Sequence, residues 1–252
     1  MLFYSTARTT FDFLTVGKLV QTALAALALG IACGWLAKPL FRPGAMLFES
    51  GVQTAFRFNS YIGLALASRL AGEHGTALMA VLIGFAVPLC NAAAVHALVH
   101  KKRRFAERTG EKNPLLIAAA GGTAYSLLGL QLPEVAGAIL SRMGSASIAL
   151  GLIAVGAGLR LSGLHQARGL AAYFFAVKLL LVPAAAFILG RWAGLPQPQL
   201  QIVVIFCALP TASSCYVLAA RLGGNGPYVA FLVSASTLLS VATLPLWLAL
   251  VH

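Results

Sequence analysis

The stretch Phe56-Arg57-Phe58-Asn59-Ser60-Tyr61 places a guanidinium and an amide in the middle of an otherwise apolar run, Met46–Leu70. At 1.5 Å per helical residue, Arg57 lies roughly 16 Å from Met46, about half of the ~30 Å hydrocarbon thickness of a bilayer. Because a charge at that depth is costly, such residues usually face a cavity or a partner and are candidates for function. The stretch therefore predicts a binding site for an anion within a membrane.

Composition sets the class of protein. Of the 252 residues, 60% are hydrophobic and 10% are charged, and the mean hydropathy is +0.88. These values exceed those of soluble domains, so we expect an all-α polytopic protein whose main partner is the lipid bilayer. The net charge of +12 comes from basic residues between apolar runs rather than on one face. This distribution favours membrane topology over nucleic-acid binding.

Eight apolar runs are long enough to cross a bilayer and are separated by Gly, Pro or charged residues. They are Lys18–Leu36, Met46–Leu70, Thr76–Val99, Asn113–Leu130, Gly144–Leu161, Leu170–Leu189, Leu200–Ala220 and Pro227–Val251. Between two of them, Glu134–Met143 is weakly amphipathic and is expected at the membrane interface. Met1–Ala7 looks like the end of a further span.

The basic segment 101–112 gives the orientation. It contains Lys101-Lys102-Arg103-Arg104, followed by Arg108 and Lys112. Basic loops face the cytoplasm, so the segment predicts a cytoplasmic loop in a multi-pass protein of the inner (plasma) membrane.

Two similar segments indicate an internal repeat. Leu66–Gly72 and Leu218–Gly224 agree at five of seven positions and lie 152 residues apart. Lys18 and Lys178, each near the start of a preceding apolar run, are 160 residues apart. The alternative is chance similarity in a sequence rich in Ala and Leu. Five predicted spans separate the segments, so the two copies would be inserted in opposite directions, as in many secondary transporters.

The repeat predicts the domain organisation. Residues 1–100 would be the first inverted repeat without its first helices, 101–112 the basic loop, and 113–252 the second repeat. The parent fold would have ten helices, and we expect about two spans' worth of chain to be missing before Met1.

At the 152-residue offset, Phe58-Asn59 aligns with Pro210-Thr211. A proline in the middle of a span removes a backbone donor, so the helix should break there. In the other span, a break would depend on Asn59, Ser60 and Gly63. Two broken helices would direct half-helix N-termini, which favour anions, toward one point. The predicted substrate-binding residues are Arg57, Asn59, Ser60, Pro210, Thr211, Ser213 and Ser214. Alternatively, Arg57 and Asn59 only cap unwound carbonyls.

Three further residues are supporting candidates for the site: Asn91, Lys178 and Thr237. Asn91 either lines the site or joins helices, and Lys178 is expected to extend back to the cytoplasmic surface. His96 and His100 have a spacing that could hold a metal, but no further ligand lies nearby, so we predict no metal. Gly30 and Gly34 should let helices approach closely.

The sequence offers little for an enzyme. Nearly all of its acids lie in loops or at the ends of spans, and Gly144-Ser145-Ala146-Ser147 lacks the glycine of a nucleophile elbow. We therefore predict that the protein is not an enzyme and has no cofactor. Proton or sodium coupling stays open, since a sodium site made of carbonyls and hydroxyls would leave no pattern in the sequence.

Several motifs resemble the auxin efflux carrier family of the bile-acid/sodium symporter-like superfamily. They are Phe56–Asn59, Val87-Pro88-Leu89-Cys90-Asn91, Lys112-Asn113-Pro114, Ala208-Leu209-Pro210-Thr211-Ala212, Ser236–Ser240 and Leu244-Pro245-Leu246. The resemblance implies ten helices in two inverted repeats, with crossing broken helices at Asn59 and Pro210. It also implies a transport domain, about 18–100 plus 170–251, that moves against a scaffold, about 113–161, through which the protein could form a homodimer.

Bacterial relatives in that family are linked to malonate, malate and similar anions, and plant relatives export auxin. The resemblance therefore implies a secondary carrier for a small carboxylate, most plausibly a dicarboxylate. The alternative is a membrane sensor that does not transport, or an inactive truncated fragment, because the family's first two helices are lacking or reduced.

Overall fold

The computed structural model describes residues 13–98, 133–157 and 167–251, and their regular secondary structure is helical throughout. Three predictions lie outside these residues: the partial span at Met1–Ala7, the basic loop 101–112 and the span Asn113–Leu130. The described helices are α1 (Phe13–Phe41), α2 (Ala45–Gly51) with a 3-10 turn (Val52–Ala55), α3 (Ser60–Leu98), α4 (Glu134–Ala157), α5 (Arg168–Ala176) with a π turn (Val177–Leu181), α6 (Val182–Trp192), α7 (Gln197–Ala208), α8 (Ser214–Arg221) and α9 (Gly226–Val251).

Four helical segments among the described residues are long and apolar enough to cross a membrane. They are Val16–Phe41, Ala45–Leu98, Arg168–Trp192 and Gly226–Val251. Their outer faces carry large apolar side chains, such as Trp192 at 86% exposure and Val241 at 73%. Apolar surface on this scale is unfavourable in water and suited to lipid. The fold is that of an all-α membrane protein.

The first unit of the fold consists of α1, α2 and α3. A residue with a left-handed backbone, Arg42 (φ 43°), separates α1 from α2. The chain then leaves the helix after Ala55, and α3 begins at Ser60. Within α3, non-helical angles at Ala71 and Gly72 separate residues 60–70 from residues 73–98. The unit is thus a long helix, a broken helix and a second long helix.

The second unit repeats this order of elements. The long helix α5–α6 ends before Gly194 (φ 67°), which precedes α7. The broken helix then consists of α7 and α8, interrupted at residues 209–213. Gly223 (φ 76°) separates it from the long helix α9. The left-handed residues Arg42 and Gly194 are 152 positions apart, the same offset as the similar sequence segments.

Helix α7 lies at the centre of the described structure. Its residues from Ile202 to Ala208 are all buried, and α7 packs against α1, α3, α6 and α9. A helix that is apolar on every side has no face for solvent or headgroups, so it occupies the core. The second break, which follows α7, is therefore enclosed by other helices.

The π turn at Val177–Leu181 is stabilised from another helix. In an α-helix, the N–H at position 183 would donate to the carbonyl of Leu179, but Pro183 has no N–H. The indole Nε1 of Trp247 donates to that carbonyl at 2.9 Å. A tertiary hydrogen bond thus replaces the missing helical one.

The prediction of a separate interfacial piece at Glu134–Met143 is wrong. The structure has one continuous helix, α4, from Glu134 to Ala157. Gly144 suggested a boundary, but a single glycine inside a helix costs only about 1 kcal/mol, which a long helix tolerates. Helix α4 packs against α3.

Gly30 and Gly34 allow α1 to approach α6 and the 3-10 turn after α2 closely, as predicted. A Cβ atom added to Gly30 would lie 2.6 Å from Cγ2 of Val182, and one added to Gly34 would lie 3.2 Å from Cβ of Ala55. Long helices of the two units therefore touch at Gly30 and Val182.

We expect Gly30→Ala to destabilise the protein by about 1–3 kcal/mol, because the added methyl group overpacks this contact. The measurement is thermal unfolding in detergent. Gly17→Ala is the matched control on the same helix, since a Cβ there meets no described atom within 4 Å. Adding Val182→Ala to Gly30→Ala should restore part of the loss. Equal melting temperatures for Gly30→Ala and Gly17→Ala would contradict the close approach.

Candidate functional site

The two helix breaks meet and hydrogen-bond to each other. The backbone N–H of Asn59 donates to the carbonyl of Pro210 at 2.9 Å. In the other direction, Oγ1 of Thr211 donates to the carbonyl of Thr54 at 2.9 Å. Both predicted breaks are present, and backbone groups freed by one break are satisfied by the other. This pairing is necessary because unsatisfied backbone groups cost several kcal/mol each within a bilayer.

Asn59 is the N-cap residue of α3. Its Oδ1 accepts from the N–H groups of Tyr61 at 3.1 Å and Ile62 at 3.4 Å, which are the second and third helical positions. Asn59 is only 2% exposed, and its Nδ2 has no hydrogen-bond partner among the described residues. The break therefore contains a buried amide donor without an acceptor.

Arg57 lies half-buried beside the break, and three neutral side chains orient it. Nη1 donates to Oε1 of Gln53 at 3.0 Å, and Nη2 donates to Oδ1 of Asn91 at 3.0 Å and to Oγ of Ser214 at 3.1 Å. Among the described residues, neither Arg57 nor Asn59 bonds through its side chain to an unwound carbonyl: Arg57 donates to three side chains, and Asn59 caps the N–H groups at the start of α3. Asn91 is joined to the predicted site through Arg57.

Gln53 is a site residue that the sequence analysis missed. It is fully buried, accepts from Arg57, and its Nε2 donates to the carbonyls of Ser50 at 3.1 Å and Cys215 at 3.2 Å. It connects the first broken helix to the first turn of α8. An amide in an apolar run, one helical turn before Arg57, was the available signal.

The electrostatics of the breaks favour an anion. Residues 60–70 and helix α8 both start here, so two positive helix ends lie beside the Arg57 guanidinium. The carboxylates whose side chains the structure describes are Glu49 and Glu73. Neither is among the hydrogen-bond partners of Arg57. The positive groups at the breaks are thus not neutralised by a carboxylate in this part of the chain.

The remaining candidates differ in their positions. The N–H of Thr211 donates to Oγ of Ser236 at 3.2 Å, which joins α9 to the second break. Thr237 instead donates to the carbonyl of Val233 in its own helix at 2.8 Å, so its hydroxyl is not brought to the breaks. Ser60 is the first residue of α3, and Ser213 is the N-cap residue of α8 without a side-chain cap hydrogen bond.

Lys178 does not extend to the cytoplasmic surface, contrary to the prediction. Its side chain is fully buried, and Nζ donates to the carbonyl of Cys207 at 2.9 Å. That carbonyl lies at the C-terminal end of α7, where helical carbonyls lack intrahelical donors. An acceptor inside the protein therefore holds the ammonium away from the headgroups.

Metal ligands do not cluster in the part of the chain that the structure describes, where no three His, Cys, Asp or Glu side chains could share an ion. His96 packs near Trp35, with ring centroids 5.7 Å apart, and His100 lies outside the described residues. All four cysteines are free.

Two broken helices that meet through their backbones inside a bundle of apolar helices are a feature of many secondary transporters. Residues 96–248 match a family model described as membrane transport protein. The match covers more than half of the chain, and the chain belongs to this family of transporters, the auxin efflux carrier family. Members of the family are transporters and not enzymes. No curated protein matches the chain in sequence.

We expect Asn59→Ala to lower the free energy of unfolding by about 1 kcal/mol, because the N-cap of α3 is lost. Asn59→Ser keeps an oxygen that can cap the helix and should stay close to the wild type. Thermal unfolding in detergent compares the two variants. If Asn59→Ala and Asn59→Ser have the same melting temperature, the Asn59 side chain does not cap this helix.

Proposed function

We propose that the protein is a secondary carrier for small carboxylates, with dicarboxylates such as malonate or malate as its substrates. The observation that supports this most is the buried Nδ2 of Asn59, which has no hydrogen-bond partner among the described residues and lies at a break that also has two positive helix ends and Arg57. A buried amide donor costs about 1–3 kcal/mol when it lacks an acceptor. A carboxylate oxygen would supply that acceptor and the missing negative charge.

The donors form two groups, which suits a substrate with two carboxylates. Arg57, held by Gln53, Asn91 and Ser214, offers a planar guanidinium whose geometry matches a carboxylate. The second group of donors, at the start of α3, is the Nδ2 amide group of Asn59. In this proposal Thr211, Pro210, Ser60 and Ser213 shape the pocket, and Lys178 and Thr237 do not contact the substrate.

The proposed mechanism depends on an inverted repeat, which the contacts between the units support. Gly30 and Val182 are 152 positions apart and touch, and Asn59 bonds to Pro210, which is 151 positions away. A two-fold axis brings equivalent positions together in this way. We propose that residues 1–100 and 113–252 belong to two inverted repeats of a ten-helix fold that includes the eight spans.

Alternating access would follow from movement of one helix bundle against another. Helices α1–α3 and α5–α9 pack around the breaks and correspond to the proposed transport domain, residues 18–100 and 170–251. Helix α4 belongs to the proposed scaffold, residues 113–161, through which a homodimer could form. The proposal also places the protein in the bacterial inner membrane with the loop 101–112 in the cytoplasm.

Binding is tested by thermal unfolding with malonate, malate or uncharged malonamide. For the wild type we expect stabilisation by the two anions and not by malonamide. Arg57→Gln should weaken malonate binding roughly 10- to 100-fold, because a charged hydrogen-bond donor is lost. Arg69→Gln, at an exposed arginine, is the matched control and should bind as the wild type does. Equal malonate affinity in Arg57→Gln and Arg69→Gln would remove Arg57 from the site.

Transport is tested with proteoliposomes and radioactive malonate. We expect uptake by the wild type and a KM about tenfold higher for Asn59→Ser, which keeps the helix cap and loses the amide donor. Binding of malonate without any uptake would instead favour the sensor or inactive-fragment alternative.

A further inference from the structure

Lys178 carries a buried charge that the proposed substrate site does not use. The side chain is fully buried, and its hydrogen bond within the described part of the chain is to the neutral carbonyl of Cys207 at 2.9 Å. The described carboxylates, Glu49 and Glu73, are not fully buried and do not pair with it. A buried ammonium without a carboxylate is costly, and intramembrane charges of this kind are usually functional.

The ammonium lies at the negative end of a half-helix. Helix α7 ends at Ala208, so the carbonyl of Cys207 has no intrahelical donor, and the helix dipole is negative at this end. In carriers with broken helices, unwound carbonyls and half-helix C-termini coordinate the sodium ion that drives transport. Lys178 therefore places a covalently attached monovalent cation in the environment where such carriers bind a free one.

Near the corresponding helix end of the first unit, two carbonyls accept hydrogen bonds from uncharged side chains. The Thr54 carbonyl accepts from the hydroxyl of Thr211, and the Phe56 carbonyl accepts from the Cys90 thiol, with Sγ at 3.8 Å. At the 152-residue offset that relates Arg42 to Gly194, the position equivalent to Lys178 is the fully buried Ala26 and not the exposed Lys18. At this pair of equivalent positions, only the second unit therefore has a cation.

The backbone around Lys178 is itself specialised. Lys178 belongs to the π turn at Val177–Leu181, and π turns within helices are frequent at functional sites. The next carbonyl, that of Leu179, is held by Trp247 from α9. These contacts set the direction from which the ammonium reaches the end of α7.

We propose that the Lys178 ammonium replaces a bound sodium ion at the C-terminal end of α7, so that this end of the broken helix binds no sodium. The inference rests on the proposed carrier function, because a coupling ion has meaning only for a carrier. Its test uses no carboxylate, so it can fail independently of the Arg57 experiment.

The experiment compares thermal unfolding in sodium chloride and in choline chloride at equal ionic strength. Lys178→Ser removes the ammonium and leaves space at the Cys207 carbonyl. Lys18→Ser, at the exposed lysine of α1, is the matched control. We expect wild type and Lys18→Ser to have the same melting temperature in both salts, and Lys178→Ser to be stabilised specifically by sodium.

Direct binding of radioactive sodium to the purified wild type provides a second measurement that does not depend on the variant folding. The proposal expects no saturable sodium binding to the wild type. Saturable binding, a melting temperature of the wild type that rises with sodium, or identical salt responses of Lys178→Ser and Lys18→Ser would each overturn it.

Discussion

The hydrogen bonds between the two helix breaks are the constraint on which the rest of the structure depends. A bilayer supplies no water to unwound backbone, so each break needs partners from elsewhere in the protein. Asn59 donates to Pro210, and Thr211 donates to Thr54, so each break is a partner of the other. Without its counterpart, each break would lose a hydrogen-bond partner for its backbone. The fold must therefore bring together residues that are about 150 positions apart in the chain.

The same arrangement concentrates positive charge. A break in a helix creates a positive N-terminal end and a negative C-terminal end at one depth. At the N-terminal ends, Arg57 adds charge of the same sign, which leaves the region suited to an anion. At the C-terminal end of α7, Lys178 adds charge of the opposite sign, which satisfies a carbonyl. Arg57 and Lys178 thus have different electrostatic roles. Arg57 adds to the positive potential of helix N-termini, and Lys178 offsets the negative potential of a helix C-terminus.

The sequence analysis was most successful where one residue type has a strong local effect. Pro210 cannot donate a backbone hydrogen bond, so a break at that position could be predicted without knowing the neighbours. Arg57 in an apolar run is equally conspicuous. Of the side chains that orient Arg57, Ser214 and Asn91 were among the predicted candidates and Gln53 was missed. Their contacts with Arg57 could not be predicted, because Ser214 and Asn91 are distant in sequence and become its neighbours only through packing. The predicted interfacial piece failed because Gly144 is compatible with a continuous helix.

The sequence by itself determined the helical membrane class, the family and the positions of both breaks. The class follows from hydropathy, the family from recognisable motifs, the second break from the limited conformations of Pro210, and the first break from its alignment with the second at the 152-residue offset. Only the tertiary structure decided what each polar side chain contacts. Lys178 could extend to the headgroups or turn inward, and a long flexible side chain is compatible with both until the position of an acceptor is known. The end of α7 supplied that acceptor, and its position depends on the packing of helices distant in sequence.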